Sequence, residues 1–394
     1  MKGIRNTAFC IFLLIFLTMT SGCAGVKTED LQNSAGQSEA DAPGTFSQGI
    51  YQNGFAVLSG NGIPSIYLDE NHSYMPLCAK PDCSHGEGDI TCSAILLEKE
   101  SGGWFRYYDG SLWFIPFQFE DDSYLYQSDL WGNNLKKIGQ VLPGISNTSP
   151  VFFRDGRMIR LVWNMTHDDN FQSTGVDTYI TAIDLQTGAE TILVGPVHFR
   201  NTCMTLKGAY EEAIYYTVNA GVLEGYPYQT LVSMNCKTGE RVTMEDNLTD
   251  CQVYGLVLQW LFVKESGENE EILWQYDLQQ GTKKAVTFPE EATPSASMDV
   301  FLMRDHLLIR NDGKEWWKYD PRTDAMEHLK SGNTAEGFVP QHQTETGYLG
   351  IITKPDVTPL ALAQEYAFLS FEDFKNGEEP LVLSHNGRKP LNVE

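Results

Sequence analysis

One unit recurs along residues 49–394 and constrains the fold more than any other feature. An apolar strand ends in Asp or Asn, a polar turn often containing Gly follows, and a second strand runs back. Seven versions can be read. They are IYLDENHSYMPL around Asp69, YLYQSDLWGNNLKKI around Asp129, YITAIDLQTGAETIL around Asp184, TLVSMNCKTGERVTM around Asn235, LWQYDLQQGTKKAV around Asp277, WWKYDPRTDAMEHL around Asp320 and AFLSFEDFKNGEEPLVL around Asp373. Successive spacings are 60, 55, 51, 42, 43 and 53 residues.

The local physics of each unit is simple. Strand residues alternate between apolar and polar, and a short Asp or Asn side chain accepts backbone N–H groups two residues on and starts the turn. Gly188, Gly239, Gly281 and Gly377 supply the positive φ that such turns need. A further strand pair precedes each unit, as in WFRYYDGSLWFIPF at Trp104–Phe117 and MRDHLLIRNDG at Met303–Gly313. Each repeat therefore has about four strands, and a single four-stranded unit cannot bury both of its faces. The pattern predicts an all-β β-propeller of seven blades with four antiparallel strands each, six blades being the alternative. One repeating period argues against a pair of β-sandwiches. The first unit has little chain before it, so the C-terminal strand PLVLSHNGRKPLNVE is expected to complete it or to close the ring.

These repeats resemble the blades of TolB-like and receptor-type propellers found in bacterial surface lipoproteins. The N-terminus has matching features. Lys2 and Arg5 precede the apolar run AFCIFLLIFL at Ala8–Leu17, and small and polar residues follow. That is the layout of an export signal, too short to span a bilayer. Its end, TSGC, resembles the lipobox of bacterial lipoproteins, with Ser21 and Gly22 in place and Thr20 where leucine is usual. The resemblance implies cleavage before Cys23 and acylation of that cysteine, palmitate included. Residues 1–22 then form the signal peptide and residues 23–48 a lipid-anchored tether nearly devoid of large apolar side chains. Residues 49–394 form the propeller, at the outer face of the bacterial cytoplasmic membrane, on the cell surface or in the periplasm.

The whole chain holds 28 Lys and Arg against 52 Asp and Glu. Such an acidic surface repels nucleic acid and anionic lipid and favours a soluble, monomeric domain. Enzyme signatures are missing. There is no G-x-S-x-G elbow, H-E-x-x-H, phosphate loop or dinucleotide fingerprint. Peptidase relatives of TolB-like propellers carry a separate hydrolase domain, and the repeats here run to Glu394. AIDLQTGAE resembles the quinoprotein repeat but lacks its later Trp, and YYDGSLWF at Tyr107 has the residues of a sialidase Asp box in the wrong order.

The acidic loops FEDDS at Phe119–Ser123 and THDDN at Thr166–Asn170 could offer oxygens to calcium, but read first as solvated hairpin tips. Most tryptophans fall in strands as packing residues. Trp131 falls in a turn, where exposure would let it stack on a sugar or a peptide.

LCAKPDCSHGEGDITCSA at Leu77–Ala94 concentrates three cysteines and a histidine. Covalent haem needs His directly after the second Cys, and Ser84 intervenes. Export permits a disulfide among Cys78, Cys83 and Cys92. The alternative is a metal, structural zinc first, on Cys78, Cys83, His85 and Cys92, with Cys83 and His85 two apart. The remaining mature cysteines are Cys203, Cys236 and Cys251, of which Cys203 and Cys251 read as buried small apolar residues. The expectation is a membrane-anchored propeller that binds a protein, peptide or glycan without catalysis and without a cofactor. The alternatives are a propeller-type glycan hydrolase or lyase, or a structural part of an envelope complex.

Overall fold

The computed structural model describes residues 51–52, 55–58, 65–68, 72–78, 80, 83, 92–94, 106–115, 123–144, 150–167, 173–199, 204–223, 226–267, 271–290, 298–311, 315–329, 337–353 and 364–383. The export signal, Cys23 and the tether lie outside the described residues.

Seven four-stranded antiparallel sheets follow one another along the chain, each drawn from one continuous stretch. Blade 1 runs from β1 (Tyr51–Gln52) to β4 (Ser73–Pro76), and blade 2 from β5 (Arg106–Tyr108) to β8 (Lys136–Val141). Blade 3 runs from β9 (Phe152–Arg154) to β12 (Glu190–Phe199), and blade 4 from β13 (Met204–Tyr210) to β16 (Arg241–Thr249). Blade 5 runs from β17 (Cys251–Val257) to β20 (Thr282–Ala285), and blade 6 from β21 (Asp299–Leu302) to β24 (Ala325–Leu329). Blade 7 runs from β25 (Phe338–Gln343) to β28 (Leu381–Val382). This is the β-propeller the repeat implies.

The first strand of each blade is innermost. β13 packs beside β17, and β17 beside β21. The last strands form the rim, and every residue of β20 is exposed. Both faces of a blade are covered, so the second strands are apolar without alternation, as at Trp260–Val263 of β18 (Trp260–Ser266). The core is a ring of interfaces rather than one centre. Ile183 and Leu185 of blade 3 pack on Trp113 and Leu125 of blade 2. Leu161 and Ile180 meet Leu206 and Tyr216 of blade 4. Tyr215 and Leu231 meet Leu261 and Val263 of blade 5. Phe262 and Leu273 meet Trp317 and Tyr319 of blade 6, and Trp316 meets Phe338 and Tyr348 of blade 7. Each such apolar side chain contributes about 1.5–3 kcal/mol when fully buried.

Ring closure corrects one expectation. The described start of the C-terminal stretch, β28, pairs with β27 (Gln364–Ser370) inside blade 7, and blade 1 has four strands of its own; residues 384–394 lie outside the described residues. Blade 1 meets blade 7 through packing: Tyr67 is buried among Leu349, Ile351, Tyr366 and Phe368, and His72 stacks on Phe368 at 3.9 Å between ring centroids.

The turn chemistry is as the repeat implies. Asp129, Asp184, Asn235, Asp277 and Asp320 each accept the backbone N–H two residues on, from Trp131, Gln186, Lys237, Gln279 and Arg322. Asp69 lies outside the described residues. Two details differ. Asp373 does not open a turn but sits in a short helix α1 (Phe371–Asn376), because Ser370 caps it and accepts the Asp373 N–H. Trp131 is buried at 5% exposure rather than offered to solvent.

Because strands alternate in direction, the first and third turns of every blade emerge at one end of the ring. These turns are short, and we call that end the turn face. The second turns and the blade-to-blade connections emerge at the opposite end, the connector face. The Cys78–Cys92 segment follows β4 and precedes β5, so it belongs to the connector face.

Candidate functional site

Arg106 of β5 and His342 of β25, 236 positions apart in sequence, stand near enough in the ring for the guanidinium charge to act on the imidazole. Arg106 stands three residues before the Asp109–Gly110 turn and His342 two before Thr344, so both lie near the turn face. Each is half-buried by area. Burial lowers the Arg106 guanidinium to about 10, which leaves it cationic at neutral pH. Burial first, and then the charge of Arg106, lowers His342 from 6.5 to about 4. His342 is therefore neutral under ordinary conditions. A fixed cation with a neutral imidazole in its field is a receptor for an anion beside a proton acceptor.

A second feature lies on the connector face between blades 4 and 5. A cleft of about 350 Å³ is lined by Asn219, Gln229, Asp250, Gln252, Lys264 and Ser266, with Cys251. Two of its polar side chains are engaged within the protein. Gln229 Nε2 donates to the Cys251 carbonyl at 2.7 Å, and Lys264 pairs with the buried Glu271 at 2.8 Å. Burial, and then the Glu265 carboxylate, push the Cys251 thiol up to about 11, so it is no nucleophile. It is partly exposed in this cleft, which corrects its reading as a fully buried residue; Cys203 lies outside the described residues. Burial also raises the Cys236 thiol to about 11.

Asp305, His306 and Tyr348 look like a proton relay. His306 Nδ1 lies 2.7 Å from Asp305 Oδ1, and its Nε2 lies 2.7 Å from the Tyr348 hydroxyl. His306 and Tyr348 are only 1% and 2% exposed, which leaves no room for a substrate. The set ties blade 6 to blade 7.

The cysteine loop gathers as a unit. The Sγ atoms of Cys78, Cys83 and Cys92 all lie within 4.8 Å of one another, all three residues are buried, and no disulfide joins them in this structure. Burial raises the Cys78 thiol, but hydrogen bonds from the Lys80 backbone, Ser93 and Cys83 outweigh it and set the group below its ordinary value. His85 lies outside the described residues, as does most of both acidic loops.

Sequence reasoning missed the Arg106–His342 pair. Neither residue belongs to a motif, and only the ring brings their strands together.

No protein-family model matches the chain, and the comparison with curated proteins gives no match. Solved structures do match. Acylaminoacyl peptidase from Pyrococcus horikoshii matches with a TM-score of 0.53 and 12% identity, over 88% of this chain and 53% of the peptidase. The chain thus spans about half the length of that enzyme. Oligogalacturonate lyase from Vibrio parahaemolyticus matches with a TM-score of 0.51 and 8% identity, over 81% of this chain and 89% of the lyase. TolB from Acinetobacter baumannii matches at 14% identity, over 91% of this chain and 84% of TolB, with a TM-score of 0.35. At such identities the likeness establishes the propeller fold alone. It still corrects the expectation of a propeller that binds without catalysis. Matches with TM-scores above 0.5 include these two enzymes, so the architecture lends that expectation no support.

Proposed function

We infer that the chain is a propeller-type glycan lyase that acts on a uronate-bearing oligosaccharide. It works outside the cytoplasmic membrane, held there by lipid on Cys23. The observation that carries this reading is a half-buried cation, Arg106, whose charge acts on the neutral His342, both on innermost strands. The near full-length match to a lyase supports it over the peptidase match, which leaves nearly half of the partner uncovered.

The chemistry follows from the pair. Arg106 takes the substrate carboxylate and stabilises the charge that develops there when the adjacent carbon loses its proton. His342 accepts that proton. A carbon–carbon double bond forms as the glycosidic carbon–oxygen bond breaks, and the leaving oxygen takes a proton from solvent. His342 is depressed first by burial and then by the Arg106 charge; a bound carboxylate offsets the second of these, so substrate binding raises the basicity of the imidazole.

The test is a panel of uronate oligosaccharides, oligogalacturonate first, followed by the ultraviolet absorbance of the conjugated product. Absorbance that grows with the wild-type protein, and falls at least about a hundredfold in rate with His342→Gln, is the expected result. Cleavage that yields saturated products would replace lyase chemistry by hydrolysis. No cleavage of any uronide would remove the reading.

A further inference from the structure

The connection from β4 to β5 folds back so that three sulfurs meet. Cys78, Cys83 and Cys92 are 5%, 4% and 0% exposed, beside the fully buried Leu77 and Ala94. Short-range bonds set the backbone: Cys78 N donates to Pro76 O at 2.7 Å, Cys83 N to Lys80 O at 3.3 Å, and Ser93 Oγ to Leu77 O at 3.4 Å. All three Sγ atoms lie within 4.8 Å of one another. Thiolates around a tetrahedral zinc ion, with Zn–S near 2.3 Å, stand about 3.8 Å apart. A disulfide would use two of the three sulfurs, whereas a metal uses them all.

The geometry points to a structural zinc site on the connector face, held by Cys78, Cys83 and Cys92. Loading releases the three thiol protons to solvent, and thiolate ligands favour zinc over calcium or magnesium. The site is separate from the Arg106–His342 pair. It clips the long connector between blades 1 and 2 and shields its thiols from oxidation in an exported protein.

The full chain, exported by its own signal and purified without chelator, is assayed for metal and for thiols alkylated under denaturing conditions without reductant. The expected result is one zinc per chain with all three cluster cysteines alkylated. Cys92→Ser should abolish zinc retention against a chromophoric chelator. If Cys92→Ser does not fold, stripping the wild-type chain with chelator and titrating zinc back reads the same single site. A disulfide among the three cysteines, or a metal-free chain that takes up no zinc, would overturn the assignment.

Discussion

His306 of blade 6 and Tyr348 of blade 7 are joined across the blade interface, with 2.7 Å between Nε2 and the hydroxyl. The Asp305 carboxylate at Nδ1 fixes the tautomer: Nδ1–H donates, so Nε2 accepts from the tyrosine. Tyr348→Phe leaves this Nε2 buried without a donor and should destabilise the fold by about 1–3 kcal/mol. Urea unfolding of the variant measures it; a loss below about 0.5 kcal/mol would show that the bond is not a blade tie.

Arg160 and Glu190 form a buried ion pair in blade 3, with side chains 0% and 6% exposed and 3.0 Å between Nη2 and Oε1. Arg160 also donates to the Leu142 carbonyl, and Glu190 accepts from Leu142 N, so the pair anchors the chain leaving blade 2. Glu190→Ala strands the guanidinium and should cost about 3–5 kcal/mol, while a double change to Met and Leu should recover most of that. Thermal unfolding of the single and double variants separates the two outcomes.

Gly188 and Gly139 touch backbone to backbone across blades 3 and 2. A Cβ on Gly188 would stand 2.5 Å from the Gly139 Cα, whereas one on Gly239 in the equivalent turn meets nothing within 4 Å. Both glycines have φ of 73°. Gly239→Ala should therefore cost only the left-handed strain, about 1–2 kcal/mol. Gly188→Ala should cost clearly more, because backbone must move. Equal losses in the two variants would contradict the close approach.

Stability should fall as the solution is acidified, first through His342. Its pKa is about 4 in the folded protein against 6.5 unfolded, so the unfolded chain binds the proton first. The contribution is complete above pH 6.5 and is lost as pH falls to 4, with a slope of at most about 1.4 kcal/mol per unit. His306, lowered chiefly by its burial, acts with the same sign. Urea midpoints at a series of pH values should show a shallower slope in His342→Gln than in the wild type.

What could be read from the sequence was local. Asp184 and Gly188 announce their turn because the acceptor, its N–H donors and the positive φ lie within five residues. The three cysteines were legible as a cluster for the same reason. Trp131 is buried although its turn position suggested exposure, and Asp373 departs from the pattern because the cap at Ser370 outweighs a turn. Arg106 and His342 carry no pattern at all. Their meaning arises only when the ring sets blade 7 near blade 2.

The most direct test of the central claim is the titration of the His342 ring followed by NMR, assigned by its loss in His342→Gln, with and without digalacturonate. The expected midpoint is about 4 in the free protein. It should rise in Arg106→Met, and rise in the wild type when the ligand's carboxylate offsets the Arg106 charge. A midpoint near 6.5 that neither the ligand nor the Arg106 substitution moves would contradict the account.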